Sequence, residues 1–148
     1  MKRPDSRLPA LLAALTLPAC DGSGPTIPFP VHHDLALAVE QWEEQGVPSY
    51  SMTVELHCFC LPPVGTPVRV TVRDEVVVSA VNLETGEELP PERWFTVTTL
   101  LERLQKAEAQ ADLREARFGP HGLPIYAYTG ELANDSGVVY RISDFAPE

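Results

Sequence analysis

From Tyr50 to Cys60 the chain alternates with a period of two. Tyr50, Met52, Val54, Leu56, Cys58 and Cys60 fall on one side, and Ser51, Thr53, Glu55, His57 and Phe59 on the other. This is the pattern of a half-buried β-strand, because successive side chains of a strand point to opposite faces. Pro48 precedes the run, and Pro62 with Pro63 ends it; proline cannot donate to a sheet ladder. A strand with one apolar face needs partner strands beside it and an apolar layer over that face.

The partners are legible nearby. Residues 67–73 place Val68, Val70 and Val72 inward against Arg69, Thr71 and Arg73. Residues 76–81 return as a third strand after the turn Asp74-Glu75, which lacks the glycine that favours a tight hairpin. Residues 82–92 are acidic and turn-rich, with Gly86, Pro90 and Pro91. Two further short strands are expected at 123–129 and 137–143, joined by a turn over Asn134, Asp135, Ser136 and Gly137, with an additional strand near 113–118.

The covering layer is helical. Asp34 is placed to cap a helix over 35–45 whose stripe is Leu35, Ala38, Val39 and Trp42, stopped by Gly46 and Pro48. A second helix is expected over about 100–110. Val97, Leu100, Leu101, Leu104 and Ala107 form its buried stripe, and Thr99 with Glu102 has capping-box spacing. Fifteen prolines in 148 residues favour short elements of this kind. The fold class is therefore α+β: an antiparallel sheet with two helices packed on one face, in one small domain over 31–148.

The N-terminal segment has a different character. Lys2, Arg3 and Arg7 precede an apolar stretch from Leu8 to Leu17. That is export-signal architecture, too short to remain as a membrane-spanning helix. It ends in Leu17, Pro18, Ala19 and Cys20, which resembles the lipobox of bacterial lipoproteins. The resemblance implies cleavage before Cys20 and attachment of fatty acids such as palmitate to its sulfur. Residues 1–19 then form the signal peptide and 20–30, rich in glycine and proline, a flexible tether. The expected location is extracytoplasmic, lipid-anchored to a bacterial cell membrane. Asp21 does not choose between inner and outer membranes.

The net charge is −10. Residues 1–19 hold three basic side chains against Asp5 alone, so the remainder keeps 8 basic and 20 acidic residues, a net charge of −12. An acidic surface repels phosphate backbones, which argues against nucleic-acid binding.

Once Cys20 is acylated, Cys58 and Cys60 are the remaining thiols. In an oxidising compartment they are disulfide candidates. In a regular strand, residues i and i+2 have Cα atoms roughly 6.5 Å apart and Cβ atoms farther apart than a disulfide prefers, so a bridge requires a local bend. Three states stay open here: a structural bridge, buried reduced thiols, and a redox or metal function. For metal, Cys58 and Cys60 with His57 are the alternative set, but two sulfurs do not close a tetrahedral site and His57 points to the other strand face. No metal or cofactor is expected. His32 and His33 beside the tether read as solvated, and His121 lies far along the chain. Asp135, Asp144, Glu131 and Asn134 offer oxygens but lack a calcium-loop pattern. No nucleophile elbow, zinc-protease motif, P-loop or dinucleotide fingerprint occurs, so catalytic residues are not assigned. Tyr126 and Tyr128 share one strand face. Packing under a helix is the favoured reading of that pair, and a partner-binding patch is the other.

With the lipobox, Trp42, the Tyr50–Cys60 strand and the closing run from Tyr140 to Phe145, the chain resembles an uncharacterised bacterial lipoprotein family, domain of unknown function 6174, over about residues 35–145. The shared features are Tyr50, Cys58-Phe59-Cys60, the hairpin around Asp74, Gly122 with Pro124, and Asp135. Glu75 stands where the family often has glycine, and Gly130 near an often acidic position. These departures argue against an acidic ion site in the last hairpin. The resemblance implies no activity. The leading expectation is a membrane-tethered, non-enzymatic binding or structural module of the cell envelope, meeting an envelope protein or a small ligand. The alternative is an envelope thiol-redox or metal-handling protein using Cys58 and Cys60.

Overall fold

The computed structural model describes residues 34–60 and 63–148. The leader, Cys20, the tether and the pair His32-His33 lie outside the described residues.

Helix α1 spans Leu35–Gln45. The Asp34 carboxylate accepts from the Leu37 N–H at 3.1 Å, and Gly46 ends the helix in the left-handed region at φ +55°. The chain then enters β1 (Tyr50–Cys58), followed by β2 (Val68–Arg73), β3 (Val76–Asn82) and a two-residue β4 (Glu88–Leu89). Helix α2 spans Val97–Ala109 and leads into β5 (Leu113–Phe118), β6 (Pro124–Thr129) and β7 (Val138–Pro147). Every pairing is antiparallel, and the sheet order is β4-β3-β2-β1-β7-β6-β5. Two meanders, β1 to β4 and β5 to β7, are joined where the first strand pairs with the last.

Both helices lie on one face of this seven-stranded sheet. Helix α1 packs on α2, β5 and the turn Pro120–Gly122, and α2 packs on β5 and β6. Beneath them Tyr50, Met52, Val54, Val68, Val70, Val72, Leu100, Leu104 and Phe118 are fully buried. Apolar burial of about 25 cal/mol per Å² makes each such side chain a stabilising contribution on the order of 2 kcal/mol. Trp42, Tyr50 and Phe145 form an aromatic cluster with ring centroids 5.1–5.7 Å apart.

Two of the sheet's register shifts let the alternation survive irregular spacing on the strands next to the core. The β1–β7 register passes from Thr53↔Ser143 to Ser51↔Ala146, leaving one extra residue on β7. Asp144 occupies it with φ +48°, and Phe145 thereby returns to the covered face beside Tyr50. The β2–β3 register passes from Thr71↔Ser79 to Val72↔Val77, and Val78 is the extra residue.

The second helix starts earlier than its expected position near Leu100. Its N-cap is Thr96, whose hydroxyl accepts from the Thr99 N–H at 3.1 Å. Thr99 is already inside the helix, so the Thr99–Glu102 capping box does not form. The first helical N–H, that of Val97, donates to the Tyr50 hydroxyl at 2.7 Å. Burial, opposed in part by that hydrogen bond, pushes the Tyr50 phenol up to about 12.

The turn Asp74-Glu75 places both residues in the left-handed region, at φ +49° and +63°. This is the backbone of a two-residue hairpin turn, achieved without glycine. Other contacts hold it. Asp74 N–H donates to Ser49 Oγ at 3.1 Å, Glu75 N–H donates to the Pro48 carbonyl at 2.9 Å, and Thr98 Oγ1 donates to the Glu75 carboxylate at 3.0 Å. Trp42 Nε1 in turn donates to Thr98 Oγ1 at 3.2 Å. Glu75 thus connects the hairpin to α2 and, through Thr98, to α1.

Candidate functional site

The alternation that fills the core also fills the opposite side of the sheet, and no helix among the described residues covers that side. Cross-strand partners share a face, so the register spells out two rows across four strands. One row is Glu55, Arg141, Tyr126 and Arg117; the next is His57, Val139, Tyr128 and Glu115. Ala127, which lies between the two tyrosines, points the other way and is fully buried with Ala116 under the helices. Tyr126 and Tyr128 therefore do not pack under a helix. They stand half-exposed on the open face, because β6 directs its small residue inward where α2 comes close.

Side chains on this face hold one another in place. The Arg117 guanidinium lies over the Tyr126 ring, 4.4 Å from its centroid, and Arg117 Nε donates to Glu115 at 2.8 Å. The Glu55 carboxylate lies 3.7 Å from His57 Nε2. Gly65 of the β1–β2 connection sits against the His57 ring, where a Cβ would come within 3.3 Å of it. Arg69 belongs to the same face, in register with Thr53 on β1 and Val81 on β3. Of the eight basic side chains after residue 19, four (Arg69, Arg73, Arg117 and Arg141) are on this surface. It interrupts the acidic character of the rest of the chain.

The second candidate lies where β1 ends. The sulfurs of Cys58 and Cys60 stand at disulfide distance with Cα atoms 5.3 Å apart, so the chain makes the bend that a regular strand would not allow. Cys58 is half-buried, whereas Cys60 is exposed. Phe59 between them is 73% exposed. Cys60 borders a depression of about 360 Å³ whose other walls are Leu56, Pro63, Leu89, Arg93 and Trp94. His57 projects to the open face, in register with Val139, away from both sulfurs. Among the described residues, no group of three or more histidine, cysteine, aspartate or glutamate side chains is arranged to hold a metal ion. No helix among them is long and apolar enough to cross a membrane.

The oxygens considered in the last hairpin do not converge. Glu131 is engaged by Arg114 Nη2 at 3.2 Å and Asn134 Nδ2 at 3.2 Å. Asp135 is in a left-handed turn, and Asp144 lies in the β7 bulge at the other end of that strand, roughly 20 Å along it at the usual rise per residue. His121 is exposed in the Pro120–Gly122 turn. Within that turn Gly122 has φ +75°, and a Cβ on it would overlap the Ala38 carbonyl of α1; glycine there is what lets the helix backbone rest on the turn.

Residues 34–147 match the family of unknown function DUF6174. The chain belongs to that family. No curated protein and no solved structure matches it. The family match spans the domain from the α1 cap into β7, and so includes Tyr50, the Cys58–Cys60 pair and Gly122.

Neither Phe59 nor the groove beside Cys60 was marked by the sequence reading, nor were Arg117 and Arg141. Phe59 fell on the polar side of the alternation, which could have marked it as exposed. The groove could not be read from the sequence, because its walls come from four separate segments.

Proposed function

We propose that the chain is a lipid-anchored protein of a bacterial cell envelope. Cys20 is its anchor, and its domain is a non-enzymatic module that binds another envelope protein through the open sheet face. The observation that carries this reading is the face itself, which no described helix covers. Tyr126 and Tyr128 are half-exposed there on a rigid four-stranded platform, framed by Arg117 and Arg141. Tyrosine and arginine are the side chains that protein interfaces favour, since each combines a large apolar surface with directional hydrogen bonding. The charge distribution supports a protein partner over a nucleic acid, because the surrounding surface is acidic. The anchor rests on the basic, apolar leader ending at Cys20. Thirteen residues separate Cys20 from Asp34, a reach of at most roughly 45 Å when extended, so the domain could meet partners near the membrane.

The test is site-specific photo-cross-linking in native envelopes. A photoreactive residue at Tyr126 or Tyr128 is expected to capture one discrete protein, and the same residue at Glu43 on α1 is not. Equal labelling from both sides would overturn the reading of the open face. Mass spectrometry of the mature N-terminus tests the anchor separately, with an acylated Cys20 as the expected result.

A further inference from the structure

We infer that the Cys58–Cys60 bridge is an exchangeable disulfide, which accepts two electrons from an external protein dithiol that attacks at Cys60. The inference is independent of the binding face, which lies on the other side of the sheet.

The bridge contributes little that the fold lacks without it. Its two cysteines are separated by two positions, and the entropic constraint of a disulfide is smallest for the shortest loops. The strand that carries Cys58 is already held. The β1–β7 register runs out to Cys58↔Val138, and the returning chain is tied by the Gly65 N–H to the Leu56 carbonyl. Structural bridges in small domains usually join distant segments and lie inside the core. This one joins near neighbours, and its outer sulfur belongs to an exposed residue.

Its surroundings suit exchange. An attacking thiolate needs access to one sulfur, and positive charge beside that sulfur favours the anionic thiolate that approaches it. Cys60 borders a groove with apolar walls at Leu56, Leu89 and Trp94, and Arg93 contributes a guanidinium to the same lining. Phe59, next to Cys60 in the chain, is 73% exposed, an apolar contact that a docking protein would cover. Cys58 sits within the paired strand and is half-buried, so the approach favours Cys60.

The chemistry balances with the dithiol as reductant. One of its thiolates bonds to Cys60 Sγ as the Cys58–Cys60 bond breaks. The electron pair leaves on Cys58 Sγ, which takes a proton. The second thiolate of the dithiol then attacks its own sulfur in the mixed disulfide and releases Cys60, which is protonated in turn. The products are an external disulfide and two thiols on this chain, a transfer of two electrons and two protons.

The test uses the full-length chain carrying Cys20→Ser, so that Cys58 and Cys60 are the only sulfurs from cysteine. The oxidised protein is exposed to dithiothreitol at pH 7, and free thiols are counted by mass after alkylation, with oxidised glutathione as the reference disulfide. Reduction within about tenfold of the glutathione rate is expected, with the melting temperature of the reduced protein within about 4 °C of the oxidised form. Reduction a hundredfold slower than glutathione, or loss of folding on reduction, would overturn the inference and leave a structural staple. Single-cysteine variants locate the attack. With an aromatic disulfide probe, Cys58→Ser is expected to form its adduct at Cys60 at least tenfold faster than Cys60→Ser does at Cys58. Equal or reversed rates would overturn the assignment to Cys60.

Discussion

The two faces of the sheet are made by the same strands, yet they are built to different standards. On the covered face Tyr50, Met52, Val54 and the three valines of β2 are sealed beneath two helices. On the open face their immediate neighbours, Glu55, His57, Arg69 and the paired tyrosines, meet solvent and hold one another by charge and ring contacts. The covered face depends on exclusion of water and close fit, where one added methyl group is costly. The open face depends on interactions that water screens, where the loss of a side chain is cheap. Stability should therefore reside on one side and recognition on the other.

The largest expected effect is Gly122→Ala. It combines a left-handed backbone with overlap on the Ala38 carbonyl, which lifts α1 from the sheet, and should cost about 4 kcal/mol in urea denaturation. A cost below 1 kcal/mol would mean that α1 is not seated through that turn. Next, Leu104→Ala should cost about 3 kcal/mol, by removing a fully buried side chain of α2 from above the sheet. Tyr50→Phe should cost about 1–2 kcal/mol, since the Val97 N–H is then buried without its acceptor.

The same tyrosine sets a pH dependence. Its phenol titrates at about 12 in the fold against 10.0 when unfolded. Between these values the unfolded chain has released the proton and the native chain has kept it, so stability falls as pH rises. The contribution is present below pH 10 and is lost by about pH 12, on the order of 2 kcal/mol in all. Denaturation midpoints of the wild type should show this alkaline slope, and those of Tyr50→Phe should show less of it.

The smallest effects belong to the open face. Tyr126→Ala and Tyr128→Ala should each change stability by less than about 1 kcal/mol, while each abolishes the cross-link made from a photoreactive residue at the other position. A loss of several kcal/mol at either position would erase the contrast between the faces.

How far each element could be read from sequence follows the range of the forces that make it. Helix α1 was legible to the residue, because Asp34, the stripe and Gly46 are all local signals. The start of α2 was not, because the contest between Thr96 and Thr99 is decided by Tyr50, 47 residues away. Strand β4 gave no periodic signal; its two residues are a strand only because Ala80 and Val81 pair with them. The bulge at Asp144 broke the alternation, so the last strand runs to Pro147 where 143 was expected. For Tyr126 and Tyr128 the alternation placed both on one face. Which face required the register with β7, and that is a property of the whole sheet.

The pairing of β1 with β7 has a consequence for how the chain acquires its shape. The strand that joins the two meanders, β7, is the last of the seven to be synthesised. Until it arrives, each meander presents an unpaired inner edge with nothing to dock on, and the long-range closure that joins them must wait. Assembly of this domain is therefore gated by the ten residues of β7 (Val138–Pro147), and a nascent or truncated chain ending before Val138 should behave as a client for holding factors rather than as a folded half.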